Sequence, residues 1–294
     1  MAAEFTTLLK PTSRTRELKA NLVVVLAVVA TVTALIPLAA VMFYVISNGA
    51  GVLSLDFFTQ DPPGDLSAAG GGIRNAIAGT LEMTALATVI AAPAGILIAI
   101  FDTEIGGRAA AATRFLVDVM AALPSIVIGI FVYTLVVVAQ GHFSGFAGSV
   151  ALAAIMLPVI VISTEEMLRL IPRPISEGAR ALGLKRWRTY VSVFIPTALS
   201  GIFTGLLLAV SRAVGETAPL LFTSLGNNFF TTDMNEPMQG MPLLIYRNAL
   251  NSAFPAARDR AMGAALTLVL MVLAFNLLGR WLVARRKAGR NASH

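Results

Sequence analysis

The stretch Arg212-Ala213-Val214-Gly215-Glu216-Thr217-Ala218-Pro219 sets two full charges inside an otherwise apolar run from Ile195 to Leu225. The midpoint of that run is Val210, two residues from Arg212, so the guanidinium is not an interfacial residue. A charged side chain at the centre of a bilayer costs about 3 kcal/mol on insertion scales. Such a residue needs a partner or a polar cargo. The stretch reads as part of a membrane protein that moves something, with an anion as the natural cargo for a guanidinium.

The rest of the chain supports a bilayer. Its 294 residues are 56% hydrophobic and only 13% charged, with a mean hydropathy of +0.79. Soluble domains carry about 25% charged residues. The net charge of +6 does not point to nucleic acid, because the basic residues flank apolar spans and no basic stretch interleaves aromatics. The absence of cysteine excludes disulfides and thiol chemistry. The first 20 residues are polar, and the apolar run that follows is too long for a signal peptide core.

Six segments are long and apolar enough to cross, at about 20 residues each. They run over 21–46, 76–101, 114–139, 148–163, 196–223 and 261–284, the fourth being the shortest, with room for its helix to extend through Ile162 toward Leu170. Prolines at 37, 93, 124, 158 and 219 are expected to kink them. Seventeen of the 22 Lys and Arg lie in the N-terminal tail, the loop around 102–114, the loop around 164–195 and the C-terminal tail. By the positive-inside rule both termini are cytoplasmic. The layout is then a tail 1–20, a six-span domain 21–284 with a cytoplasmic loop 164–195, and a tail 285–294. Two long outer segments, 47–75 and 224–260, read either as flexible connections or as a docking surface for an external partner.

The loop 164–195 contains Glu177-Gly178-Ala179-Arg180-Ala181-Leu182-Gly183, then nine residues, then Val193-Phe194-Ile195-Pro196. Ser176 is placed to cap a short helix, Glu177 suits its first turn, and Gly183 suits its left-handed stop. A second helix is expected from Lys185-Arg186-Trp187-Arg188. The spacing resembles the EAA loop of binding-protein-dependent ABC importer permeases, with Gly178 where that family has alanine. Leu55-Asp56-Phe57-Phe58-Thr59-Gln60, Gly70-Gly71-Gly72-Ile73, Gly79-Thr80-Leu81, Pro124-Ser125-Ile126-Val127-Ile128-Gly129 and the stretch from Arg212 to Thr223 extend the likeness along the chain. Together they resemble the permeases of phosphate ABC importers.

That resemblance implies an all-α membrane subunit with the type I ABC importer permease fold, in a prokaryotic inner membrane. It implies a homologous C-type permease, a two-copy ATPase holding ATP and Mg, and an extracytoplasmic phosphate-binding protein as partners. Glu177, Gly178, Ala179 and Gly183 would meet the ATPase. The sequence has no Gly-x-x-x-x-Gly-Lys-[Ser/Thr] phosphate loop, so hydrolysis belongs to another chain. No cofactor, metal site or enzymatic activity is expected of this chain.

Arg212 and Glu216, four apart, would share one helix face. They read either as a structural pair tying helices together or as a site where forked donors meet an oxyanion while the carboxylate moderates the grip. Thr217 and Ser125 are the other expected pathway residues. Glu82 and Asp118 are weaker candidates, His142 is an isolated loop histidine, and the carboxylate pair Glu165-Glu166 is expected to pair with Arg169 at helical spacing. The stripe Gly201, Gly205, Ala209, Ala213 reads as a packing seam. Alternative readings are a permease for sulfate or molybdate, or a stand-alone ion-coupled anion carrier.

Overall fold

The structure is a computed structural model that describes residues 14–65, 67–104, 106–250 and 253–291. The polar tail before residue 14, and the side chains of Arg173, Ser176, Arg180 and Arg186, lie outside the described set. Among the described residues the chain is helical, with α1 Arg14–Gly49, α2 Leu55–Thr59, α3 Arg74–Glu104, α4 Gly107–Ala122 and α5 Ser125–Val132. They are followed by α6 Val138–Gln140, α7 Gly145–Arg169, α8 Arg173–Ala181, α9 Arg186–Thr189 and α10 Ile195–Val214. α11 Ala218–Thr223, α12 Met241–Leu250 and α13 Pro255–Asn291 complete the order. Single π-helical turns at Tyr133–Val137 and Tyr190–Phe194 join α5 to α6 and α9 to α10.

The chain divides into two compact units, Met1–Ser47 and Asn48–His294. The first is most of α1, whose apolar stretch is long enough to cross a bilayer by itself. The second contains the remaining helices. Among the described residues five helices are long and apolar enough to cross a membrane, and the bent pair Gly107–Ala122 with Ser125–Gln140 makes a sixth if it counts as one span.

The core of the second unit is α7. Its residues Leu152, Ala153, Met156 and Ile160 are buried in one cluster with Met83, Ala87 and Ala91 of α3 and Ala209 and Ala213 of α10. Its 25 residues run past 148–163 to Arg169, and Ser149, Thr164 and Glu165 along it are buried in the protein. An interior helix tolerates such residues where a lipid-facing one would not.

Two of the six expected spans are not continuous helices. The 114–139 segment is split at Leu123-Pro124, and α4 meets the α5–α6 segment at 107°. Leu123 is extended (φ −68°, ψ 136°), the conformation that a following proline imposes. The 196–223 segment is split at Gly215-Glu216-Thr217, after which Pro219 occupies the first turn of α11. Pro219 cannot donate to the carbonyl four residues back, and its ring would crowd it. By contrast α1, α3 and α7 continue through Pro37, Pro93 and Pro158.

The segments 47–75 and 224–260 are tied to one another by hydrogen bonds. Asp61 binds Arg74 through both carboxylate oxygens (3.1 and 3.0 Å) and accepts from the Phe230 amide at 3.1 Å. Asn75 donates to the Asn227 carbonyl, and the Met241 amide donates to Thr80 Oγ1. Asp65 accepts from the Ser67 amide, which, with the Ser67 hydroxyl and the charge of Arg260, holds its carboxyl below the usual aspartate value. The helix α12 was hidden from the hydropathy reading by its ten-residue length.

Candidate functional site: a broken helix beside α7

The position of Arg212 follows from how α10 packs. A Cβ at Gly201 would overlap Met167, and one at Gly205 would overlap Ser163, so α10 runs antiparallel to α7 in close contact. The small-residue stripe is therefore a seam within the chain, as its spacing predicts. Continuing that register brings Arg212 level with Met156, near the middle of α7. Beyond the break, Leu220 and Ser224 lie against Gly148, close to the start of α7. The span thus continues to the far end of α7, and its interruption falls halfway along.

Arg212 is in the last turn of α10, and Gly215 caps the helix with its amide directed at the Arg212 and Ala213 carbonyls. Glu216 is not on the helix, contrary to the expected shared face. The turn nevertheless returns its carboxylate to Arg212, with Nε to Oε1 at 3.5 Å. The Arg212 side chain stays 47% exposed and Glu216 17% exposed. The pair is joined yet open on one side. A positive charge at the end of a helix also complements the dipole there.

The second break lies beside the first. A Cβ at Gly129 of α5 would overlap Pro219 of α11, so these two short helices cross in backbone contact. Ser125 begins α5 one turn before Gly129 and is half-buried. Thr217 occupies the N-terminal cap of α11 without a side-chain capping bond. Arg212, Glu216, Thr217 and Ser125 therefore all stand at two neighbouring interruptions. Sequence reading missed Asn276, whose amide donates to Ser211 Oγ at 2.9 Å and ties α13 to the last turn of α10. An asparagine within an apolar 27-residue span was the available signal.

The loop 164–195 forms the expected pair of short helices, with one correction. Helix α8 begins at Arg173, so Ser176 is inside it and is not its cap. Pro174 fits that first turn, where no amide partner is needed. Gly183 does stop the helix, with φ +70° and a bond from the Leu184 amide to the Ala179 carbonyl at 3.3 Å. Ala179 is buried while Glu177, Gly178 and Leu182 face outward. A Cβ at Gly178 meets open space.

Of the other candidates, Glu165 does pair with Arg169 at 3.4 Å, and its same oxygen also takes Arg114 of α4. Glu82 is half-buried on α3 and Asp118 is exposed on α4. His142 lies beside the Phe143 carbonyl in the turn before α7.

Residues 91–286 match the family of binding-protein-dependent transport system inner membrane components. The chain is 40% identical over 274 residues to the phosphate transport system permease protein PstA of Yersinia pestis, covering 92% of each chain. It is 41% identical to the PstA protein of Haemophilus influenzae, covering 84% of this chain and 87% of that one. Among solved structures, the fold resembles a bacterial alginate ABC transporter in complex with its alginate-loaded periplasmic protein (TM-score 0.67, 15% identity, 93% and 98% covered). It also resembles the inward-facing MetNI methionine ABC transporter (TM-score 0.57, 20% identity, 73% and 94% covered). The chain is a multi-pass membrane protein and belongs to the binding-protein-dependent transport permeases, within the group of PstA proteins.

Proposed function

We propose that the chain is a permease subunit of an ATP-driven importer for inorganic phosphate in a prokaryotic inner membrane. The observation that carries this reading is the half-exposed Arg212–Glu216 pair at a helix break level with the middle of α7. Unwound backbone at that depth is tolerated where protein covers it or where it lines a water-filled cavity. The guanidinium offers the planar fork of donors that suits phosphate oxygens. Glu216 already occupies part of that fork, which weakens the hold on an anion and permits release. Ser125 and Thr217 would add hydroxyls to the same passage.

The chain would form half of a pore, with a homologous C-type permease supplying the other half. Both termini would be cytoplasmic. A two-copy ATPase, carrying ATP and Mg, would receive α8 through Glu177, Gly178 and Ala179, with Gly183 fixing the end of that helix. An extracytoplasmic phosphate-binding protein would dock on the opposite face, where the 47–75 and 224–260 segments are knit together. A motor is needed because bringing an anion into a negative interior costs about 2.3 kcal/mol per charge per 100 mV.

The test is uptake of radiolabelled phosphate by the reconstituted complex, with sulfate and molybdate as competitors. Phosphate uptake that requires ATP and resists both competitors is the expected result. Inhibition by either competitor at equal concentration would make the chain a permease for that oxyanion. Phosphate movement by this chain alone, without ATP, would make it a stand-alone carrier.

A further inference from the structure

Where α7 approaches α8, four charged groups from three helices converge, and the passage described above uses none of them. Glu165 of α7 is 2% exposed, and one of its oxygens receives both Arg114 of α4 and Arg169 of α7. Its other oxygen is buried without a hydrogen bond. Asp102 of α3 is buried too, and neither of its carboxylate oxygens has a hydrogen-bond partner. Arg114 and Arg169 both lie near enough to Asp102 for their charges to act on it. One carboxylate holds both arginines through a single oxygen, and its neighbour has no hydrogen-bond partner.

An orphaned buried carboxylate is expensive. It is better explained as an acceptor vacated in one state of the molecule than as a fixed element of the core. The helix that carries Arg114 is bounded by a break at each end. It begins at Gly107, with Gly106 and Gly107 at φ +60° and +70° and open space around both, and it ends at the 107° bend before Pro124. Helix α4 is thus a 16-residue rod set between a glycine pair and a bend.

We propose that Arg114 is a two-position latch, held by Glu165 in the present arrangement and by Asp102 in the alternative one. Arg169 is fixed to α7 by its i,i+4 spacing and stays with Glu165, neutralising it when Arg114 leaves. Arg169 stands four residues before α8 and Glu165 eight, so movement of α8 would reach α4 through these two residues. It supplies the element with two discrete arrangements that a conformational relay requires. This role rests on reading the chain as a subunit that alternates between two openings.

The chain has no cysteine, so Phe115→Cys on α4 and Leu170→Cys at the end of α7, both exposed positions, accept two spin labels. The separation is measured in the reconstituted complex without nucleotide. Glu165→Gln is expected to raise the ratio of long to short separations at least fivefold, the equivalent of about 1 kcal/mol. Adding Asp102→Asn to it should cancel that rise, because the second acceptor is gone. An unchanged ratio in Glu165→Gln, or a double variant identical to the single, overturns the latch. Should Glu165→Gln fail to assemble, Asp102→Asn alone decides: with ATP and Mg it must stay at the short separation, and normal lengthening refutes the proposal. The response of the unsubstituted labelled complex to ATP separately tests the importer reading.

Discussion

Two Arg–Glu pairs at the same sequence spacing have opposite characters in this molecule. Glu165 and Arg169 lie on a continuous helix with the glutamate first, the more favourable order for an i,i+4 pair. Their carboxylate is sealed and shared with a third residue, Arg114. Arg212 and Glu216 have the reverse order, the helix ends between them, and the arginine remains about half exposed. At Glu165 the carboxylate is buried and one oxygen serves two arginines, although Arg169 itself is 60% exposed. At Glu216 the carboxylate serves one arginine and is itself 17% exposed, the looser pairing proposed to admit a passing ion. The spacing alone does not separate these cases; the integrity of the helix between the residues does.

The largest effect expected from this contrast concerns neither pair but the projection that drives them. Deleting 177–183, or replacing Glu177 with lysine, should reduce ATP-dependent phosphate uptake to background while the chain still inserts in the membrane. Uptake and ATP hydrolysis measured on the same proteoliposomes check this, and normal uptake would remove α8 from the coupling path. Next, Arg212→Gln should reduce uptake at least tenfold with subunit assembly unchanged, whereas Glu165→Gln should reduce the thermal stability of the complex. Co-purification of the subunits and a melting curve separate the two outcomes. If Arg212→Gln prevents assembly, the pair is structural and the contrast fails.

A smaller effect tests the frame that sets the depth of Arg212. Gly205→Ala places a methyl group against Ser163 and should cost about 1–3 kcal/mol by overpacking. Ser163→Gly in the same chain should restore most of it, read as recovery of the melting temperature. The smallest concerns Gly178, where alanine meets no obstacle and should stabilise α8 by up to about 1 kcal/mol. Uptake should be unchanged and protease resistance of the loop slightly increased.

Much of the fold was legible in the residues. The apolar runs located the spans, Gly183 marked the end of α8, and the four-residue stripe marked the seam of α10. The interruptions at Leu123-Pro124 and Gly215-Thr217 were less so, because a proline within a span can also be absorbed, as Pro93 and Pro158 are. The apolar run of α7 is plain in the sequence, but its place at the centre of the packing, between α3 and α10, is not. The tie between Arg114 and Glu165 spans 51 positions and has no local signature. Asn276 was visible as an asparagine in a span, but its bond to Ser211 depends on the antiparallel register of two distant helices.

The central claim is that the Arg212 position opens on the path of the transported anion. It is tested by Arg212→Cys in an assembled complex whose other chains also lack cysteine, treated with a membrane-impermeant, negatively charged thiol reagent. The account predicts modification, with the reactive side of the membrane changing when ATP and Mg are supplied. A thiol inert to that reagent from both sides, yet labelled by a lipid-soluble maleimide, would place residue 212 against lipid and contradict it.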